Sequence, residues 1–227
     1  MEIRKSVLIV PVICLLVFAG CASVGLFSGA KNEFDRGMAL FNSGEYQKAI
    51  PHFQKASEMD PDFADAYLYL GRSYLNMGKW VEAISPLRTA LRLSPDTTRK
   101  DFVAILVDAL FGAATSEFKR GNFQRSIGYF KEVLELQPSS SRAKNELFST
   151  LIAFGGDLLS KGNATDAIGE FREAIKLSPD EASGYLWLAK AFLKNGDFLN
   201  AIQAAKDALR IDPTNDGAQA LFKELRR

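Results

Sequence analysis

Glycines and prolines in this chain keep a fixed distance from one another, and that regularity limits the fold more than any other feature. Pro61 and Pro95 lie 34 residues apart, as do Pro179 and Pro213, with Pro138 between the two pairs. Counting back 17 residues from each of these five prolines reaches Gly44, Gly78, Gly121, Gly162 and Gly196 without exception. A repeat of this length, built of helical patterns, is a single supersecondary unit that covers its apolar face by stacking on its neighbours.

Further columns keep the same register. Gly37, Gly71, Ala114, Gly155 and Ala189 fill a small site before the turn. Ala49, Ala83, Ser126, Ala167 and Ala201 fill a second small site, and Ala56, Ala90, Val133, Ala174 and Ala208 a third. Phe53, Leu87, Phe130, Phe171 and Ala205 share the large position of the second helix, and Tyr46, Trp80, Phe123 and Phe198 follow the turn glycines by two residues. A helical hairpin needs small residues where backbones cross at about 8–10 Å and bulky ones where ridges fill grooves. Glycine suits the end of the first helix because a left-handed backbone costs it little, and proline follows the second helix because it cannot continue it.

This pattern resembles the tetratricopeptide repeat. The resemblance implies an all-α, right-handed superhelical solenoid of five helix–turn–helix repeats, at about 30–63, 64–97, 98–140, 141–181 and 182–215, with a capping helix at 216–227. Leu221 and Leu225 are expected to cover the last hairpin, since the end repeat of a solenoid otherwise exposes an apolar face. Two spacings depart from the period. Pro95 to Pro138 is 43 residues and Pro138 to Pro179 is 41, while the glycine-to-proline half stays at 17. The extra length therefore falls in the first helices, over Thr97 to Lys119 and Ser141 to Lys161. Phe102, Ile105 and Leu106 are expected to pack toward Ala143 and Leu147, or else to form a ledge for a partner or for the seam of a homodimer.

Residues 1–20 read as a signal peptide. Arg4 and Lys5 precede a charge-free run from Ser6 to Ala19. That run spans only about 21 Å as a helix, short of the ~30 Å hydrocarbon core, and Pro11 interrupts it. Phe18-Ala19-Gly20-Cys21 resembles the bacterial lipobox, whose cysteine becomes the lipidated first residue; the family more often has leucine where Phe18 stands. Cys21 is thus the candidate lipidation site and 21–29 a short tether. An uncleaved anchor and simple secretion are the alternatives. Each buried methylene contributes about 0.8 kcal/mol, so several acyl chains would hold the protein at the membrane. The expected location is the bacterial cell envelope, facing the periplasm, with the outer membrane favoured because Ala22 replaces the aspartate that retains many lipoproteins at the inner membrane.

Composition removes several functions. Setting aside Glu2, Arg4 and Lys5 leaves 26 charges of each sign, so no broad basic field invites nucleic acid. Both cysteines, Cys14 and Cys21, lie in the first 21 residues, and His52 is the single histidine. A thiolate metal site, a histidine cluster and a Ser/His or Cys/His pair are therefore not expected beyond residue 21. Gly71 to Lys79 has the outline of a phosphate loop, but six residues separate its glycines and Trp80 stands where Ser or Thr is needed. No enzyme activity, cofactor or metal is expected.

A protein or peptide partner is expected instead. In the tetratricopeptide family the first helices line the concave face, which implies Phe34, Met38 and Phe41, then Leu68, Arg72 and Asn76, as contact residues here. Phe111, Phe118 and Lys119 continue the face, followed by Ile152, Lys190 and Lys194. Gly112, Ala113, Gly155 and Gly156 form a floor with room for a bulky group, and the cations face acidic groups on the ligand. Glutamate at Leu68 or Phe111 is expected to abolish capture without unfolding. The lysine–asparagine clamp of chaperone-binding relatives is missing, since Phe34, Met38 and Tyr69 occupy its places.

Overall fold

A computed structural model describes residues 29–226, so the signal-peptide and Cys21 expectations lie outside the described residues. Among those residues there are eleven helices and no strand. The first, α1, is helical over 29–42. There follow α2 (Tyr46–Met59), α3 (Ala64–Asn76), α4 (Trp80–Leu93), α5 (Arg99–Lys119), α6 (Phe123–Leu136), α7 (Ser141–Ser160), α8 (Ala164–Leu177), α9 (Ala182–Lys194), α10 (Phe198–Ile211) and α11 (Asp216–Leu225). Helices α5 and α7 have 21 and 20 residues against 13 in α3 and α9, so the extra sequence does extend the first helices.

Every turn glycine has the backbone that its column required. Gly44, Gly78, Gly121, Gly162 and Gly196 all have φ between 70 and 85°. At each, the glycine N–H donates to the carbonyl three residues back and the next N–H to the carbonyl five back, as in Gly78 to Leu75 and Lys79 to Tyr74, both at 2.9 Å. This paired closure satisfies carbonyls that a helix end leaves open.

The chain divides into two compact units, one ending at Ala109 and the other beginning at Leu110. In the first, α3 packs between α2 and α4. Phe53 and Leu87 lie fully buried in the crossings, where a Cβ added at Gly37 would come within 2.7 Å of Phe53 and one at Gly71 within 2.4 Å of Leu87. The small column is therefore the socket for the large one. Helix α1 is also tied to α2 by charge. Glu33, only 9% exposed, lies 2.8 Å from His52 Nδ1 and accepts from Lys55 Nζ at 2.9 Å, with Arg36 at 3.3 Å. His52, the single histidine, is thus a partner in this interhelix tie.

The bonds from His52 and then Lys55 pull the Glu33 carboxyl down to about 2 from an ordinary 4.5. A depressed carboxyl stabilises the fold above its unfolded value, and that contribution fades as pH falls from about 4.5 toward 2. Thermal melts between pH 5 and 2 should therefore show a decline that Glu33→Gln flattens. An identical decline in the variant would show that the tie is not its source.

In the second unit α7, α8, α9, α10 and α11 pack each on the next, α6 packs on α7, and α9 also touches α7 and α11. Phe130, Phe171 and Val133 are buried to 1% or less, with Ala167, Ala174, Ala201, Ala205 and Ala208 at 0%. Each crossing thus reproduces the sequence columns. Of the residues singled out on the long helices, Leu147 is 3% exposed in this unit, and Phe102 and Leu106 are 6% and 1% exposed in the first.

Candidate partner-binding face

The expected contact residues fall into two groups. In the first unit Phe34, Met38 and Phe41 are half-buried along α1. Phe34 lies 4.8 Å from Phe63 and 5.7 Å from Tyr69, and Phe41 lies edge-on to Tyr69 at 5.3 Å. The Arg72 guanidinium caps this cluster, 5.1 Å from the centre of Tyr69 and 5.5 Å from that of Phe41. A cation over ring faces is held by their negative quadrupole. Asn76 is exposed, and its amide donates to the Arg72 carbonyl at 2.9 Å. Leu68 differs from the others, being 8% exposed and part of the core.

In the second unit Phe111 is also core. It is 8% exposed, meets Phe130 edge-on at 5.7 Å and carries the Arg142 guanidinium 4.4 Å above its ring. Glutamate at Leu68 or Phe111 would bury a charge, so those substitutions alter stability before they alter capture. Phe118, by contrast, is 38% exposed and rests edge-on against Phe123 at 5.5 Å. Lys119, Lys190 and Lys194 are exposed, and Ile152, like Leu159, Leu186 and Leu193, is half-buried against the core of this unit.

The small-residue floor also divides. Ala113 is 0% exposed, and a Cβ at Gly155 would meet Phe171 at 2.4 Å, so both serve internal packing. Gly112 and Gly156 reach the surface. Beside Gly156 stands Trp187, which the column reading passed over. Its ring stacks on Phe171 at 5.8 Å, and Lys190 Nζ lies 4.5 Å from its centre. Trp187 follows Leu186 by one residue, and that place at the seam between neighbouring first helices was the signal that could have singled it out. Tyr69 follows Leu68 in the same way.

A separate groove of about 660 Å³ opens between α6 and α8, with Leu147 and Leu151 of α7 among its lining and the Lys131–Glu173 ion pair joining its two sides at 2.6 Å. None of the expected contact residues lines it. Among the described residues no group of three or more His, Cys, Asp or Glu is placed to hold a metal, and no helix is long and apolar enough to cross a membrane.

Stacked hairpins with glycine turns and partly exposed apolar first helices define a helical-repeat protein of the kind that mediates protein or peptide contacts. The family model described as Tetratricopeptide repeat matches residues 34–97 and 152–216, a second of the same description matches 108–140, and the chain belongs to that family. It is 29% identical over 123 residues to DnaJ homolog subfamily C member 3 of Gallus gallus, covering 54% of this chain and 22% of that protein. It is 26% identical over 116 residues to Superkiller protein 3 of Schizosaccharomyces pombe, covering 51% and 8%. The chain thus spans less than a quarter of either relative. Among solved structures, a TPR repeats protein from Bacteroides fragilis superposes with a TM-score of 0.61 at 13% identity, over 87% of this chain and 97% of that one, which establishes the shared fold.

Proposed function

We propose that this protein is a lipid-anchored tetratricopeptide-repeat scaffold that binds a protein or peptide partner in the bacterial cell envelope and serves the assembly or stability of an envelope complex. The observation that carries the binding half is the set of partly exposed apolar side chains on the first helices, Phe34, Met38 and Phe41 in one unit and Ile152, Leu159, Leu186 and Leu193 in the other, bordered by cations. Aromatic and aliphatic anchors ringed by polar groups are the usual make-up of an interface core. The anchoring half rests on the charge-free run before Phe18-Ala19-Gly20-Cys21. With only Ala22 to Ser28 between that cysteine and the first helix, the binding faces would be held close to the membrane surface.

Labelled palmitate fed to the native host should enter the full chain, and Cys21→Ala should lose both the label and the membrane fraction. Equal labelling of the two would remove the lipid anchor from the proposal. Photo-crosslinkers placed at Phe41 and Lys190 should capture a discrete envelope protein that the same group at Pro51 or Leu199 does not. Identical adducts from all four positions would remove the first-helix face.

A further inference from the structure

The face of α7 and α9 carries an asymmetry that the fold does not require. Glycine at 155 is imposed by Phe171, but a Cβ at 156 would find nothing nearer than the Trp187 ring at 4.0 Å, an ordinary contact. Helix interiors disfavour glycine relative to alanine, so Gly156 weakens α7 without serving a crossing. Gly128 and Gly169 are open too, but both are exposed on second helices, whereas Gly156 is half-buried against a tryptophan.

Along the first-helix rows that pass it, the charges have one sign. In the repeat register, three rows cross α5, α7 and α9: Thr115, Gly156 and Lys190; Phe118, Leu159 and Leu193; and Lys119, Ser160 and Lys194. No carboxylate occupies these rows, and the first along them is Glu224 of α11. Of the carboxylates nearby, Glu117 is held by Arg120 and Asn122, Asp157 by Lys161 and Glu173 by Lys131, while Glu146 lines a small cleft with Thr115 and Phe118 at the α5 side, away from Lys190 and Lys194. Lys119, Lys190 and Lys194 form ion pairs with none of the described residues. Lys190 rests instead on the Trp187 ring, which keeps its ammonium over the apolar strip.

We propose that this face is a specificity site for an acidic segment, which inserts one bulky apolar side chain into the notch at Gly156 against Trp187 while its carboxylates meet Lys190 and Lys194. The inference rests on the partner-binding reading above and names the chemistry of the partner. Charge complementarity selects the sign of the ligand, and the notch selects the size of one residue. A basic ligand would bring like charges together at three positions.

The test uses the full chain in detergent and a fluorescein-labelled helical peptide of about five turns, with Leu and Phe on one face and Glu on both flanks. One control peptide carries Lys in place of Glu, and another carries Ala in place of Phe. The Glu peptide should bind about tenfold more tightly than either control. Lys190→Glu combined with Lys194→Glu should reverse the charge preference, and Gly156→Leu should erase the advantage of Phe over Ala with no fall in melting temperature, since the substitution favours the helix. Equal affinity for the Glu and Lys peptides, a Phe advantage that survives Gly156→Leu, or no binding of the Glu peptide would each overturn the proposal. Crosslinking in the host separates this from the broader reading. If a partner is still captured in undiminished yield by the Gly156→Leu and double-lysine variants, the site is misassigned while the scaffold stands; if the wild type captures none, the scaffold itself falls.

Discussion

Gly155→Leu is expected to unfold the second unit, or to lower its stability by more than about 3 kcal/mol. The Cβ alone would lie 2.4, 2.6 and 2.9 Å from three carbons of the Phe171 ring, before the rest of the leucine is placed. That ring cannot retreat easily, since it is 0% exposed and stacked on Trp187. Overpacking a dense core typically costs about 1–3 kcal/mol when side chains can adjust, and more when a backbone crossing must open. Truncating the other partner, Phe171→Ala, should cost about 3–5 kcal/mol through lost burial and the cavity left behind. Either loss is a large share of the roughly 5–15 kcal/mol that stabilises a domain. Gly155→Ala is the informative intermediate, because Ala114 and Phe130 already coexist at the equivalent crossing. It should cost less than leucine, and less again in a Phe171→Leu background, giving a coupling that urea denaturation of the four variants can measure. A Gly155→Leu protein with the wild-type midpoint would show that the crossing is looser than its distances imply.

These crossings were legible from sequence because each is repeated, so a small residue in one helix and a large one in the next recur at fixed offsets. What escaped was whatever happens once. Glu117 occupies the place filled by Leu40, Tyr74, Leu158 and Phe192 in the other repeats. Its side chain is 3% exposed, and the carboxylate is satisfied locally by Asn122 at 2.7 Å and Arg120 at 2.9 Å, which lower its pKa. A column average gives no warning of a buried acid, because the partners that make it tolerable lie in the turn and not in the column. Phe198 shows the reverse failure. It shares a column with Tyr46 and Phe123, whose rings rest on Phe41 and Phe118, yet the matching place in its own repeat holds Leu193, and Phe198 is 60% exposed. The contact face was legible only in part for a related reason. Helical register places Leu68, Phe111 and Phe118 on one stripe, but whether a residue on a stripe is reached by solvent depends on neighbouring helices. Arg142 from the lengthened start of α7 covers Phe111 and leaves Phe118 open.

That difference makes Phe111→Glu and Phe118→Glu a decisive pair. At 111 the substitution removes a buried ring, a loss of about 3–5 kcal/mol for truncation of such a side chain. The new carboxylate would lie near the Arg142 guanidinium, and an ion pair with so exposed a partner returns only about 0–1 kcal/mol. Burial therefore decides the outcome, and the protein should melt well below the wild type. At 118 the ring is already 38% exposed and loses one edge contact with Phe123, so stability should change by about 1 kcal/mol or less. Binding should respond in the opposite order of interpretability. Loss of capture in Phe111→Glu would follow from disorder, whereas in Phe118→Glu it would follow from a negative charge set beside Lys119 on a face that attracts acids. Thermal melts and peptide anisotropy on the same two preparations separate the cases. A Phe118→Glu protein that melts normally and binds the acidic peptide about tenfold less tightly supports the assigned face. Normal melting with unchanged binding would move the site off α5, and cooperative unfolding of Phe118→Glu near the Phe111→Glu temperature would make Phe118 a core residue in spite of its exposure.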